Sequence, residues 1–428
     1  MKFATPYQRM LAVWRPLALF TIMSLAPGLA TAQDLVQLFG NGAGAVSQVA
    51  SVQVAQDQFV TAVINSTGNL EVIGWYADFN TNQLVRQGTV YAGPASAVAV
   101  SSPFSLNVGI SGTFTTAAIN SSGNLDISYW QMQPNGAISW IAETQGDHTF
   151  DITSWNVSIA SVYYSNTGNP QFVTAIPNAS GNLEVSLWCL DTNNQIQLSG
   201  TASAGRVFQV GIAALHDSLS DVVTAVMNGA GDEELIQWYY GRFGKAVSRG
   251  KTTYTSTPTY DFVVTPGVFY LNNPPYNVNA FYTASINSST TQNTVAAWNQ
   301  NLGSQSQDAV GNNGQVALVG YNTAAIEAAA IQTNSYTGSN LYVFDQNNSN
   351  SFGQVASANA YGVFPDSISL LDTSSPNVTV FAVAGRETAD VTSNLQIQVW
   401  SYIRACSPWC PAEKRSGAAH KGADERNR

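Results

Sequence analysis

Four carboxylates in this 428-residue chain stand four positions ahead of a tryptophan that recurs at regular intervals: Glu71 before Trp75, Asp126 before Trp130, Glu184 before Trp188 and Glu234 before Trp238. Side chains alternate along a β-strand, so an acid and an indole four residues apart project from one face. Such a pair can hold an uncharged polyol, with the ring against its C–H face and the carboxylate accepting from its hydroxyls. These eight residues are the candidate ligand-binding set. A second reading needs no ligand: a recurring Trp also serves as a packing wedge between sheets, and a nearby acid as a partner for its N–H or a backbone amide. Aromatics outside this spacing are further candidate platforms, as variable residues on a rigid scaffold: Trp140, Trp155, Tyr163, Tyr164, Tyr239, Tyr240 and Tyr76.

Catalytic chemistry is poorly served. His148, His216 and His420 are the only histidines, and two of them sit beside an Asp in what reads as solvated loop. There is no His-Glu-x-x-His, no Gly-x-Ser-x-Gly, no Ser-x-Asp-x-Gly-x-x-Trp and no Asp-x-Asp-x-Asp-Gly calcium loop. No catalytic residue, metal or cofactor is therefore expected. A glycosidase or lyase needs only two carboxylates at a suitable separation and stands as the least favoured alternative.

The elements that position these pairs repeat. NSTGNLEVIGW at 65–75 recurs as NSSGNLDISYW at 120–130 and NASGNLEVSLW at 178–188. Aligned on the last residue, the units end at Trp75, Trp130, Trp188, Trp238, Trp298, Phe344 and Trp400, with spacings of 55, 58, 50, 60, 46 and 56 residues. A period near 50 places the chain among repeat architectures. Within a unit, β-rich runs such as 59–64 and 70–75 flank Asn65-Ser-Thr-Gly-Asn69, whose Asn and Gly suit a tight hairpin. A third run precedes them and a fourth follows, at 83–90 in the first unit. The expected fold is all-β, a seven-bladed β-propeller of four-stranded antiparallel blades. After Trp400 too little chain remains for a fourth strand, whereas Asp34-Leu-Val-Gln-Leu-Phe39 resembles the fourth-strand segment of the first unit. The N-terminal strand is thus expected to close the last blade and hide both edges.

Lys2, Arg9 and Arg15 precede an apolar run at 17–26 and an Ala-Thr-Ala ending at Ala32, the pattern of a signal peptide over 1–32. The propeller would span 33–404 and a disordered tail 405–428. The mature protein is expected to be secreted, extracellular or periplasmic, with no membrane association after cleavage and with homo-oligomers left open. Between 33 and 403 stand 7 Lys plus Arg against 23 Asp plus Glu, a balance of −16 that repels phosphate backbones and argues against nucleic acid. Cys189 is the single core cysteine, with Cys406 and Cys410 in the tail, so no disulfide framework holds the fold.

The phrase Val-Thr-Ala-Val-x-Asn-x-Ser/Thr-Gly-Asn-Leu-Glu/Asp-Val/Ile-x-x-Trp resembles the repeat of the Photorhabdus-lectin-like seven-bladed β-propellers. The resemblance is strong in units one to three, fair in the fourth and weak in the last three, whose residues at the acid position are Thr294, Asn340 and Gln396. It implies a secreted, multivalent lectin without a catalytic step, recognising fucose or O-methylated glycans in shallow pockets between blades. The alternative is a propeller scaffold for protein–protein interaction.

Overall fold

The repeated hairpin is held by its own asparagine. In the computed structural model, Asn65 Oδ1 accepts from the backbone N–H groups of Thr67 and Asn69 at 3.0 and 3.1 Å, and Asn120, Asn178 and Asn228 do the same one repeat later each time. Gly68, Gly123, Gly181 and Gly231 take φ between 74 and 88° in these turns, the region that suits glycine. The structure describes residues 34–103, 112–149, 157–162, 169–215, 221–240, 247–272, 275–299, 301–302, 304–312, 316–320, 328–334, 338–346, 352–361, 363–375, 378–387 and 393–403. The leader, the tail, Trp155, Tyr163, Tyr164, His216, His420, Cys406 and Cys410 lie outside them.

Among the described residues there is no α-helix, and the strands form antiparallel sets of four. The first set joins the second half of β1 (Asp34–Ala55) to β2 (Gln58–Asn65), β3 (Asn69–Asp78) and the first half of β4 (Gln83–Ser101). The second takes the rest of β4 with β5 (Thr113–Asn120), β6 (Asn124–Met132) and β7 (Ile138–His148). The third comprises β8 (Ser158–Val162), β9 (Gln171–Pro177), β10 (Asn182–Leu190) and the first half of β11 (Ile196–Ala214). The fourth runs from β11 through β12 (Asp221–Asn228) and β13 (Asp232–Tyr240) into β14 (Val247–Asn272). The fifth continues from β14 to β15 (Pro275–Asn287), β16 (Gln292–Asn299) and β17 (Ser304–Asn312). Next come β18 (Val316–Gly320), β19 (Ala328–Asn334), β20 (Gly338–Gln346) and β21 (Phe352–Ala360).

The last set is β22 (Phe364–Ser375), β23 (Val378–Arg386) and β24 (Ser393–Ile403), completed by the first half of β1, whose ladder runs from Asp34↔Ile403 to Val46↔Ser393. Beginning and end of the unit 34–403 are thereby paired without a disulfide. One detail differs from the sequence reading: runs such as 83–90 and 97–100 are not separate strands. A single bulged strand serves as the outer edge of one set and the inner edge of the next, so no loop is needed between them.

Each hydrophobic cluster is shared by two successive sets. Trp75, Phe59 and Ile73 of the first set pack with Leu395, Ile397 and Val399 of the last, and Trp188 of the third packs with Ala117, Ile127 and Ala142 of the second. Because both faces of each small sheet are covered, its strands are apolar on both sides, as in the burial of every residue from Gln171 to Pro177. The first strands of the sets lie side by side in cyclic order: β1 against β4, then β8, β11, β14, β18, β22 and back to β1. Short polar contacts tie them, such as Ser101 Oγ to Ser161 Oγ at 2.9 Å and the Ser51–Ser367 hydroxyl pair at 2.9 Å.

Candidate ligand-binding site

The four indoles are core. Trp75, Trp130, Trp188 and Trp238 are between 0 and 4% exposed, so their rings meet neighbouring side chains and offer no face to solvent. Each indole N–H donates to a threonine fourteen residues earlier, Thr61, Thr116, Thr174 and Thr224, at 2.8–2.9 Å. Trp298 repeats the contact with Thr283 at 2.9 Å. The acid four residues ahead is not the indole's partner. Phe59 and Phe114 stack on Trp75 and Trp130 at 6.4 and 6.3 Å between ring centroids, which fills the remaining contact area. An indole so enclosed cannot be the platform of a surface site without opening the sheet boundary, so the aromatic half of each expected pair is corrected here to a packing wedge.

The carboxylates sit differently. Glu71, near the start of β3, is 12% exposed in its side chain and ion-paired with Arg86 Nη2 at 2.8 Å; the Arg86 side chain is 40% exposed. Glu234 is likewise 12% exposed and paired with Arg249 Nη2 at 3.0 Å, Arg249 being 42% exposed. Asp126 accepts from Asn120 Nδ2 at 3.0 and 2.9 Å and from Gln145 Nε2 at 3.0 Å, a wholly neutral setting. Glu184, buried on β10, accepts from Ser186 Oγ at 3.3 Å. Its carboxyl also lies within reach of the Asp147 charge on β7, across the boundary between the second and third sets. Burial first, and then the negative charge of Asp147, pushes the Glu184 carboxyl up to about 7.

Sequence reasoning passed over Arg86 and Arg249 and read Asp147 and His148 as solvated loop, whereas both stand on β7. A signal for the arginines was present: Arg-x-x-Thr-x-Tyr follows Trp75 and Trp238 at the same distance and follows none of the other repeat tryptophans. Of the additional aromatics, Trp140 is 53% exposed and Tyr239 borders on exposure, whereas Tyr240 is buried. Tyr91, opposite Glu71 in the β3–β4 ladder, is 65% exposed. Among the described residues no three His, Cys, Asp or Glu side chains are grouped to hold a metal ion.

No family model matches the chain, and no curated protein matches it. Solved structures resemble it at low identity. Sqt1 of Saccharomyces cerevisiae aligns at 9% identity and a TM-score of 0.49, covering 87% of this chain and 100% of that one. AofleA from Arthrobotrys oligospora aligns at 10% and 0.47, covering 78% and 94%. The fucose-specific lectin from Aleuria aurantia aligns at 10% and 0.45, covering 73% and 95%.

Proposed function

We propose that the protein is a secreted carbohydrate-binding protein, a lectin that takes neutral sugars such as fucose or O-methylated glycans at repeated shallow sites between the blades of a seven-bladed propeller spanning 33–404. Residues 1–32 would be removed on export and the protein would act outside the cytoplasm, extracellularly or in the periplasm, without catalysis. The observation that carries the reading is the recurrence of a partly exposed carboxylate at the same place near the start of the third strand of a set, held by a fixed donor, on a chain whose core segment has few cations and an abundance of neutral hydrogen-bonding side chains. Support for the ring comes from the cyclic contacts of the first strands, from the hydrophobic clusters shared by successive sets and from the β1–β24 ladder. The Photorhabdus-lectin-like phrase in the first three repeats supports the ligand class. Weak contacts at several sites would gain strength through multiplicity on a glycan-bearing surface.

A glycan array tests this. The expected result is binding to fucosylated or O-methylated glycans that is competed by a monosaccharide and weakened in Glu71→Gln and Glu234→Gln variants that melt like the parent. An array without signal, together with stable co-purification of a protein partner, would replace the lectin with the scaffold. Turnover of a glycan abolished by one carboxylate would replace it with an enzyme.

A further inference from the structure

Two of the four carboxylates have neighbours that the other two lack. Glu71, Arg86, Thr89 and Tyr91 follow the same spacing as Glu234, Arg249, Thr252 and Tyr254. In the first group Arg86 Nε and Nη2 donate to Thr89 Oγ1 at 2.9 and 2.7 Å while Nη2 also donates to Glu71. In the second, Arg249 Nε and Nη2 donate to Thr252 Oγ1 at 3.2 and 3.0 Å while Nη2 also donates to Glu234. The hydroxyl and the acid together fix the guanidinium plane, and Nη1 has no partner among the described residues in either copy. Tyr91 and Tyr254 occupy the same register position, opposite Glu71 and Glu234.

The strand of the preceding set decides how much room lies beside each acid. Where the outer strand bulges, two of its residues face a single residue of the partner strand between the ladder pairs Gln396↔Gly42 and Asn394↔Ala45, Asp126↔Gln145 and Asn124↔His148, and Glu184↔Ser203 and Asn182↔Arg206. The second of the two is Gly44, Asp147 and Gly205 respectively. Asp147 reaches the acid of the following set, Glu184. By the same register Gly44 precedes the boundary with Glu71, and Gly205 the boundary with Glu234. A Cβ at Gly44 or Gly205 would meet nothing within 4 Å, and neither has a positive φ. The protein thus sets a carboxyl of its own at one boundary and leaves the equivalent position to glycine at the two that carry the arginine, as it also does with Gly93 ahead of Asp126, where no arginine stands beside the acid.

We infer that the Glu71–Arg86–Thr89 and Glu234–Arg249–Thr252 groups are two equivalent sites for a neutral vicinal diol, and that Asp147 occupies the corresponding place at the third boundary. The inference rests on the lectin reading above and narrows it to two working sites and one ligand feature. One hydroxyl of the diol donates to the carboxylate and its neighbour accepts from Nη1, while the exposed Tyr91 ring offers an apolar plane beside the first site. An anionic sugar is disfavoured, because the acid already neutralises the guanidinium and the core segment carries a balance of −16. The Asp126 boundary is excluded, its carboxylate being engaged by Asn120 and Gln145 with no arginine beside it.

Calorimetric titration with methyl α-L-fucoside, repeated with a derivative methylated on one hydroxyl of the diol and with methyl α-D-galacturonide, tests the inference on the full chain. Two sites per chain are expected. Gly205→Asp, built into open space, should leave one, and Gly44→Asp with Gly205→Asp none, while Asp147→Gly retains two. Arg86→Gln with Arg249→Gln should weaken binding at least about tenfold. Fucoside binding with a site count unmoved by the glycine variants would overturn the two-site inference and leave the lectin standing. Undiminished binding of the methylated derivative, or preference for the galacturonide, would overturn the diol. A glycan array without any signal would bring down both readings.

Discussion

Two kinds of arginine–carboxylate pair occur in this molecule, and burial separates them. Arg386 and Asp366, on β23 and β22 of the last set, are 8 and 0% exposed and meet through Nε–Oδ2 at 3.2 Å and Nη2–Oδ1 at 3.3 Å. Arg86–Glu71 and Arg249–Glu234 have comparable distances, yet their arginine side chains are 40 and 42% exposed. A buried pair is fixed by what its loss would leave behind, an uncompensated charge in a low dielectric. A half-exposed pair contributes little to folding and is free to trade water for another polar group. Arg386→Met should therefore destabilise the protein by about 3–5 kcal/mol in urea denaturation. Arg86→Gln should cost no more than about 1 kcal/mol. If the two variants shifted the midpoint alike, burial would not be what divides structural from available pairs.

The same contrast can be drawn within one repeat, between the indole and the acid that precedes it. Thr174→Val leaves the buried indole N–H of Trp188 without its acceptor, at a cost of about 1–3 kcal/mol by the same denaturation measurement. Asp126→Asn, at a half-buried position of the same kind of sheet, keeps the shape and should move stability by less than about 1 kcal/mol. A larger loss at Asp126 than at Thr174 would return the acid to the core and undo the distinction.

How far the sequence disclosed this arrangement follows from which residues are constrained by one strand and which by two. The hairpin was legible because Asn65, Gly68 and Asn69 act on their own backbone within five residues, and the pattern survives wherever the turn does. The all-β class, the four-strand grouping and the pairing of β1 with β24 were legible because alternation and turn residues are local signals that accumulate over a repeat. The direction of the indole was not, since both faces of these sheets are buried and period-two alternation cannot say which boundary a side chain enters. The arginines were missed for a related reason. Arg86 comes to Glu71 through the β3–β4 ladder, with a register shift between Gly74 and Trp75 that a one-dimensional count does not display. Asp147 meets Glu184 across a sheet boundary, a contact that depends on how two sets pack and leaves no spacing to read.

A further expected effect concerns that last contact and turns on pH. The Glu184 carboxyl titrates near 7 in the folded chain against an ordinary value of 4.5, because burial and then Asp147 disfavour its charged form. Between these two values the folded state holds a proton that the unfolded state has released, so the slope of stability with pH is negative. The contribution is fully favourable below about 4.5, declines through the interval and is lost above about 7. Glu184→Gln should flatten this part of the profile and raise the melting temperature at pH 8 relative to the parent while changing it little at pH 5. Asp147→Asn removes the second cause alone and should shift the decline toward lower pH without abolishing it. Melting curves at closely spaced pH values separate the cases: a parent whose stability rises steadily from pH 5 to 8, with Glu184→Gln tracking it, would mean that burial and Asp147 do not raise the Glu184 carboxyl at this boundary. The space beside Glu71 and Glu234 would then lose its internal counterpart.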